Sequence, residues 1–379
     1  MKRLSRVLVL LPGADVGGAE AHTAWLARSL AASGLDLRLA IAAPLRDRFA
    51  ALLGPRLAAG LEAAPVAWDT RQPAAANERR QAEAAAELVA ATRPDAAVLA
   101  LPWPTHGIGL QRALAEAGVP TLAVAHLAPA EMEPEGLAAA RALRPGPTRW
   151  AAVSEPVAAR LAACFALPPG AVSVVPNGVH VPPEDPRRRA AARAAKRERV
   201  GVAGRAPLFV FAGRLEPNKG ADLLPGIAER LHAATGGGVA VLGGGKLLRG
   251  WESADAPRPG LHFLSHVPDV PDWLLAADAL LLPSRLEGCP LVFLEAAARR
   301  CPVVATAAAV EAFGEDAYAM AAVAQEGSAS AVADRALSAL AEPVATRRRV
   351  EAAFRHAAAH DAAAMLGQYA GLLRAAAAL

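Results

Sequence analysis

The sequence predicts an α/β protein built from two doubly wound parallel-sheet domains, and three observations carry that expectation. A chain of 379 residues is longer than one hydrophobic core usually serves. Each half alternates short apolar runs with helical segments, the grammar of βαβ units. Between the halves, Val181-Pro182-Pro183-Glu184-Asp185-Pro186 and a run of basic residues have the composition of a linker. The domains are therefore expected at 1–183 and 184–360.

In the first half, Val7–Leu11 reads as a buried strand and Glu20–Ala32 as a helix stopped by Gly34. Leu35, Leu37 and Leu39 alternate with Asp36 and Arg38, which is strand periodicity. Further strands are expected at Ala96–Leu101, Thr121–Ala125 and Trp150–Val153. The second half offers Leu208–Ala212, Val239–Leu242, Leu261–Leu264, Ala279–Leu282 and Val303–Ala305, and an alanine-rich helical tail over residues 344–378.

Composition excludes several functions. Hydrophobic residues make up 54% of the chain, but much of that is alanine, which favours helices because it has no rotamer entropy to lose. The net charge is only +4, with no aromatic interleaving of the basic residues and no nucleic-acid motif. Nucleic-acid binding is therefore not expected. Arg187, Arg188, Arg189, Arg193, Lys196, Arg197 and Arg199 crowd one stretch, read either as a solvated helix or linker or as a surface attracted to an anionic membrane or an acidic substrate. Cys164, Cys289 and Cys301 form neither a disulfide framework nor a zinc motif and suit a reducing, cytoplasmic setting. The apolar run after Lys2, Arg3 and Arg6 is too short for a signal peptide, and no run is long enough to span a bilayer.

Ligands of open parallel sheets lie beyond the carboxyl ends of the strands, and chemistry-bearing residues collect there. Pro12 to Glu20 links the first strand to a helix through Gly17 and Gly18, a turn that is either simply tight or open to an anion. After the strand ending at Ala212 come Gly213, Arg214 and Lys219; Arg offers a planar fork and Lys a mobile point charge to a diphosphate. After Leu282, Glu287 lies in a loop and Pro290 opens a helix. The free N–H groups of Leu291, Val292 and Phe293 would then face a phosphate. Glu295, about one turn further in, would accept hydrogen bonds from vicinal hydroxyls. Two carboxylates so placed suit a polyol.

At these residues the chain resembles the retaining GT-B glycosyltransferases of family 4. The resemblance runs through Gly17-Gly18-Ala19-Glu20, Val153-Ser154-Glu155, Pro176-Asn177-Gly178-Val179, Gly213-Arg214, Lys219-Gly220, Glu287, Glu295 and Pro302-Val303-Val304-Ala305-Thr306. It implies a GT-B fold of two Rossmann-like domains facing across a cleft, with the last helix, about 361–379, packed back on the first domain. It implies a UDP-, GDP- or ADP-linked sugar as co-substrate, with no metal or other cofactor. Arg214 and Lys219 would grip the donor diphosphate, and Glu295 the ribose. Glu287 and the backbone of Gly288, Cys289, Pro290, Leu291 and Val292 would meet the transferred sugar. Gly17 and Gly18 would lie beside the phosphates, His126 near the donor sugar, and His106 towards the acceptor. The acceptor itself is not legible. A lipid-linked sugar, an envelope polysaccharide or a small metabolite all fit, and Arg71 to Arg93 reads as a solvated helix without pocket residues.

The chain departs from the family pattern at Arg300, Ser265 and Ala307-Ala308-Ala309, where glycines are usual, and at Gly243-Gly244-Gly245-Lys246, which lacks an acidic residue. An L-residue forced to positive φ there would cost about 1 kcal/mol. Those losses leave two other readings beside a transferase: a non-catalytic partner subunit and a nucleotide-sugar epimerase.

Overall fold

A computed structural model describes residues 4–143, 146–247 and 258–379. The chain divides into two compact units, Met1–Pro176 with Ala363–Leu379, and Asn177–Ala362. Each is a parallel sheet between helices, as the alternating pattern predicts.

The first sheet holds β1 (Arg6–Leu11), β2 (Asp36–Ile41), β3 (Leu61–Ala63), β4 (Ala96–Leu101), β5 (Thr121–Ala125), β6 (Thr148–Ala152) and β7 (Val172–Val174), in the order β3-β2-β1-β4-β5-β6-β7. All six residues of β4 are buried, because helices cover both faces of the sheet. The second sheet holds β8 (Leu208–Ala212), β9 (Gly238–Leu242), β10 (Leu261–Phe263), β11 (Ala279–Leu282), β12 (Val303–Thr306) and β13 (Ala322–Ala324), in the order β10-β9-β8-β11-β12-β13. In both, the chain winds outwards from its first strand and then crosses to the other side. The strand order therefore reverses between β1 and β4, and again between β8 and β11. Such reversals open crevices at the carboxyl ends of the strands.

The sequence does not predict β3, β7 and β13. Each has only three residues, too few to display a period. The alanine-rich tail is not one helix but two, Pro343–Ala359 and Ala362–Ala376, parted at His360 and Asp361. The second places Met365, Tyr369 and Leu373 in the core of the first unit, with Val7, Val9 and Leu11 of β1. There the Tyr369 hydroxyl donates to the Val175 carbonyl at 3.2 Å.

The basic stretch is no linker. It forms the helix Pro186–Arg199, capped by Asp185, whose carboxylate accepts from the N–H groups of Arg187 and Arg188. Its cations turn onto the helix Val270–Ala276 and its flanks: Arg188 pairs with Asp272 at 2.8 Å, Arg193 with Asp278 at 2.7 Å, and Lys196 with Asp269. Arg189 donates to the Arg299 carbonyl, and Arg199 lies over the Trp273 ring. Much of the positive charge is thus spent inside the second unit.

The glycine departures resolve into two kinds. Ser265 and Arg300 do adopt positive φ, 54° and 53°. Arg300 has compensation: its guanidinium lies 3.8 Å from the Phe354 ring centroid and pairs with Glu351. Ser265 is exposed. Ala307 has φ −58°, and neither Ala308 nor Ala309 has positive φ, so alanine costs nothing in that turn. Ser265→Gly is therefore expected to raise stability by about 0.5–1 kcal/mol, a gain visible in thermal denaturation, and Arg300→Gly to gain less because its side-chain contacts are lost. An unchanged or lower melting temperature for Ser265→Gly would remove strain from the account.

Candidate functional site

In the second unit the loops that follow the strands are laced together. Gly213 N–H donates to the Leu242 carbonyl at 3.0 Å and Leu215 N–H to the Gly244 carbonyl at 2.8 Å, which lays the loop after β8 on the loop after β9. On its other side that loop meets the end of β11. Gly220 has φ 65°, and a Cβ there would stand 1.9 Å from the Pro283 carbonyl oxygen, so no other residue fits. The Asn218 carbonyl accepts from the N–H groups of Arg285 and Leu286. Arg285 also forks onto both oxygens of Asp222, at 2.6 and 2.8 Å, holding that carboxyl below its usual range.

This lacing brings Lys219 to Glu287. Its Nζ lies 2.7 Å from Glu287 Oε2, and the Ser284 hydroxyl donates to Oε1 at 2.8 Å. Glu287 is 9% exposed and the Lys219 side chain 18%. Burying a carboxylate costs its hydration, and here a cation and a hydroxyl offset that cost. The pair stands where the strand order reverses, between β8 and β11.

Beside it begins the helix Leu291–Ala298, with Pro290 at its N-cap rather than inside its first turn. Phe293 N–H bonds back to the Pro290 carbonyl at 3.1 Å, so it is not available to an anion as expected. The N–H groups of Leu291 and Val292 have no partner among the described residues, as the first N–H groups of a helix commonly lack one. Glu295 is partly exposed on this helix, and desolvation raises its pKa against the pull of Arg299. Arg214 lies 3.4 Å from Glu216 in its own loop. Cys289 is buried; burial pushes its thiol up to about 12, and its carbonyl accepts from Asn177 Nδ2 at 2.6 Å. It acts through its backbone and not as a nucleophile.

In the first unit, Gly17 caps the helix Gly18–Ala32, and its N–H is already taken by the Glu20 carboxylate at 2.8 Å. The same carboxylate explains Gly13, where a Cβ would stand 2.2 Å from Glu20 Oε1. His126 follows β5 and meets His22 edge to face, with centroids 4.7 Å apart; His22 in turn meets Tyr369 at 4.9 Å. Burial lowers His22 to about 4 and His126 well below its usual value. Both rings are neutral at physiological pH.

Two family models match the chain in sequence. Residues 16–181 match the family 4 glycosyltransferases, and residues 206–342 the group 1 glycosyl transferases. The chain belongs to this glycosyltransferase family. The glycogen synthase of Thermus thermophilus is 36% identical over 124 residues, which is 30% of this chain and 26% of that relative. The D-inositol 3-phosphate glycosyltransferase of Xylanimonas cellulosilytica is 36% identical over 139 residues, 34% of this chain and 33% of that one. The chain thus aligns with a quarter to a third of these relatives' length. In fold it matches the Anabaena protein Alr3699/HepE in complex with UDP and glucose, at 18% identity and a TM-score of 0.74, over 98% of this chain and all of that one.

For this family member the structure joins Lys219 to Glu287. Arg214 stands in the loop after β8 with Glu216 beside it, and Glu295 on the helix Leu291–Ala298 with the charge of Arg299 one turn on. Ser284, Asn177, Asn218 and Gly220 hold the site, though the sequence assigned them no role; the adjacent Pro-Ser and Lys-Gly pairs at strand ends were the available signal. Lys219→Met should leave Glu287 buried against a hydroxyl alone and cost about 3 kcal/mol. Adding Glu287→Gln should recover much of that loss. Thermal denaturation of both variants checks it, and an undisturbed Lys219→Met would show that the ion pair does not hold the loops.

Proposed function

We propose that the chain is a retaining glycosyltransferase that moves a hexose-type sugar from a nucleotide-diphosphate donor to an acceptor hydroxyl, in envelope polysaccharide, lipopolysaccharide or glycolipid synthesis. The observation that carries this reading is the Lys219–Glu287 pair at the β8/β11 reversal, beside the N–H groups of Leu291 and Val292, which have no partner among the described residues. A cation held by a carboxylate is a preorganised site for exchange. An arriving diphosphate gives the Lys219 ammonium a new anionic partner, and Glu287 is then released to accept hydrogen bonds from sugar hydroxyls.

In the reaction, the bond between the sugar C1 and the β-phosphate oxygen breaks, with its electron pair leaving on the phosphate. The acceptor oxygen forms the new bond on the same face of C1, and its proton passes to the leaving phosphate. The transition state resembles an oxocarbenium ion. Negative charge growing on the diphosphate is met by Lys219, by Arg214 and by the N-terminus of the helix Leu291–Ala298. Glu295 holds the ribose hydroxyls; in the first unit, His126 is offered to a sugar as a neutral ring, and Gly17 and Gly18 leave room for a phosphate. This assigns the charge stabilisation to the chain's own cations, with no metal required.

UDP is favoured among the nucleotides because the fold relative Alr3699/HepE holds UDP and glucose. Three buried free cysteines fit a reducing cytoplasm. No helix among the described residues is long and apolar enough to cross a membrane, and any approach to an anionic membrane is peripheral.

Screening UDP, GDP and ADP by thermal shift is expected to single out UDP, since a ligand of the folded state raises its stability. UDP-glucose should then be hydrolysed slowly in the absence of acceptor, with chelator present. Lys219→Ala and Arg214→Ala should each lower that rate about 10²–10³-fold, the usual loss when one charge-stabilising group goes. Binding without any turnover would favour a non-catalytic partner subunit, and release of an altered nucleotide sugar an epimerase.

A further inference from the structure

The first unit carries a second built feature at its own strand reversal. Trp68, two residues beyond Val66 in the loop after β3, lies parallel to His106, with centroids 5.2 Å apart and planes at 6°. Trp103, in the loop after β4, covers His106 at 5.8 Å and 26°. The three rings are only partly buried. Trp68 N–H donates to the Pro12 carbonyl at 3.2 Å, just past the end of β1. The stack therefore stands at the β1/β4 reversal, where an open parallel sheet offers its crevice.

The loop that presents Trp68 is held from beneath by three polar side chains of the helix Ala74–Thr92. Asn77, with no exposed surface, accepts from Asp69 N–H at 2.8 Å and donates to the carbonyls of Asp69, Gln72 and Pro73. Arg80 donates to the Ala67 carbonyl at 2.6 Å. Gln81, equally buried, donates to Val66 and to His106 at 2.7 and 2.8 Å, so one amide fixes both ring-bearing loops. This overturns the expectation of a solvated helix. Burying amides to hold a surface loop still is costly unless the loop has to keep one shape. Rigid loops at strand ends are where binding groups sit.

The rings and charges indicate what the loop binds. Asp69 and Arg71 form a forked pair beside Trp68, at 2.9 and 3.1 Å, planar and neutral overall. Arg71 draws the Asp69 carboxyl down to about 2, so the pair stays ionised. Burial lowers His106 to about 4, so the middle ring is uncharged at neutral pH. The pair and the middle ring bring no net charge, and the Arg80 guanidinium beneath the loop is already engaged by the Ala67 carbonyl and Asn77 Oδ1. The feature offers flat apolar faces and hydroxyl-binding edges, the complement of a sugar ring, whose C–H face is apolar and whose rim is polar.

We propose that Trp68, His106 and Trp103, with the Asp69–Arg71 pair, form the acceptor subsite, and that the acceptor presents a neutral pyranose there rather than a phosphate headgroup. This rests on the transferase reading and names the acceptor class for it. The full-length chain, with and without UDP, would be titrated with the methyl glycosides of glucose, mannose, galactose and N-acetylglucosamine and with glycerol 1-phosphate. Tryptophan fluorescence and saturation-transfer NMR report the contact. At least one pyranoside should bind saturably, with its Kd raised tenfold or more in Trp68→Ala and Trp103→Ala, and glycerol 1-phosphate should give no response. The UDP thermal shift should persist in both variants. If Trp68→Ala unfolds, Trp68→Leu keeps the bulk and should lose the pyranoside equally. No response to any of the four glycosides, an undiminished response in the variants, or a response to glycerol 1-phosphate alone overturns the proposal. Loss of pyranoside binding with the UDP shift intact in wild type sinks the subsite only, whereas an absent UDP shift counts against the donor reading.

Discussion

Everything in the second unit's site depends on how closely the loop after β8 approaches the end of β11. Gly220 makes that approach by having no Cβ to set against the Pro283 carbonyl and by accepting a left-handed backbone. From that contact follow the two hydrogen bonds to the Asn218 carbonyl, the Arg285–Asp222 fork and, finally, the Lys219–Glu287 ion pair. The charged pair is thus a consequence of backbone packing. Once formed and buried, the pair in turn ties the two loops, because removing one partner would leave the other charge alone.

The departures at Ser265 and Arg300 show how a fold keeps a backbone shape after losing the residue that suits it. Both positions still adopt positive φ. At Arg300 the side chain gains an aromatic face and a carboxylate on the helix Pro343–Ala359, which offsets strain of about 1 kcal/mol. The turn at Ala307 needed no glycine, so its loss carries no consequence for the site. Changes that look alike in sequence are therefore of different weight, and only the backbone dihedral separates them.

How much could be read in advance follows the same division. β1, β4, β5, β8 and β11 were legible because each is a continuous apolar run followed by a turn signal, and Lys219 and Glu287 because they follow such runs. Their contact was not legible, since it is set by Gly220 against Pro283, about sixty residues apart in sequence. β3, β7 and β13 are too short to show a pattern. Composition leaves helix and linker open for the basic stretch because it reports charge and not its partners, and Asp269, Asp272 and Asp278 lie far along the chain. The helix Ala74–Thr92 was misread because alanine dilutes its faces. The signal available was Asn77, Arg80 and Gln81 at i, i+3 and i+4, three polar side chains on one stripe.

The two units hold their sites by different means, and the difference suits the donor and the acceptor proposed for them. In the second unit the groups at the strand reversal are an ion pair, and a ligand bringing both phosphate and hydroxyls can give the cation and the carboxylate each a new partner. In the first unit they are amides and a guanidinium bonded to main-chain carbonyls, which no incoming ligand replaces. Such a loop cannot rearrange around its ligand; it selects by shape. A donor whose diphosphate must be gripped and released calls for the exchangeable arrangement, and a neutral ring that contributes no charge of its own calls for the fixed one.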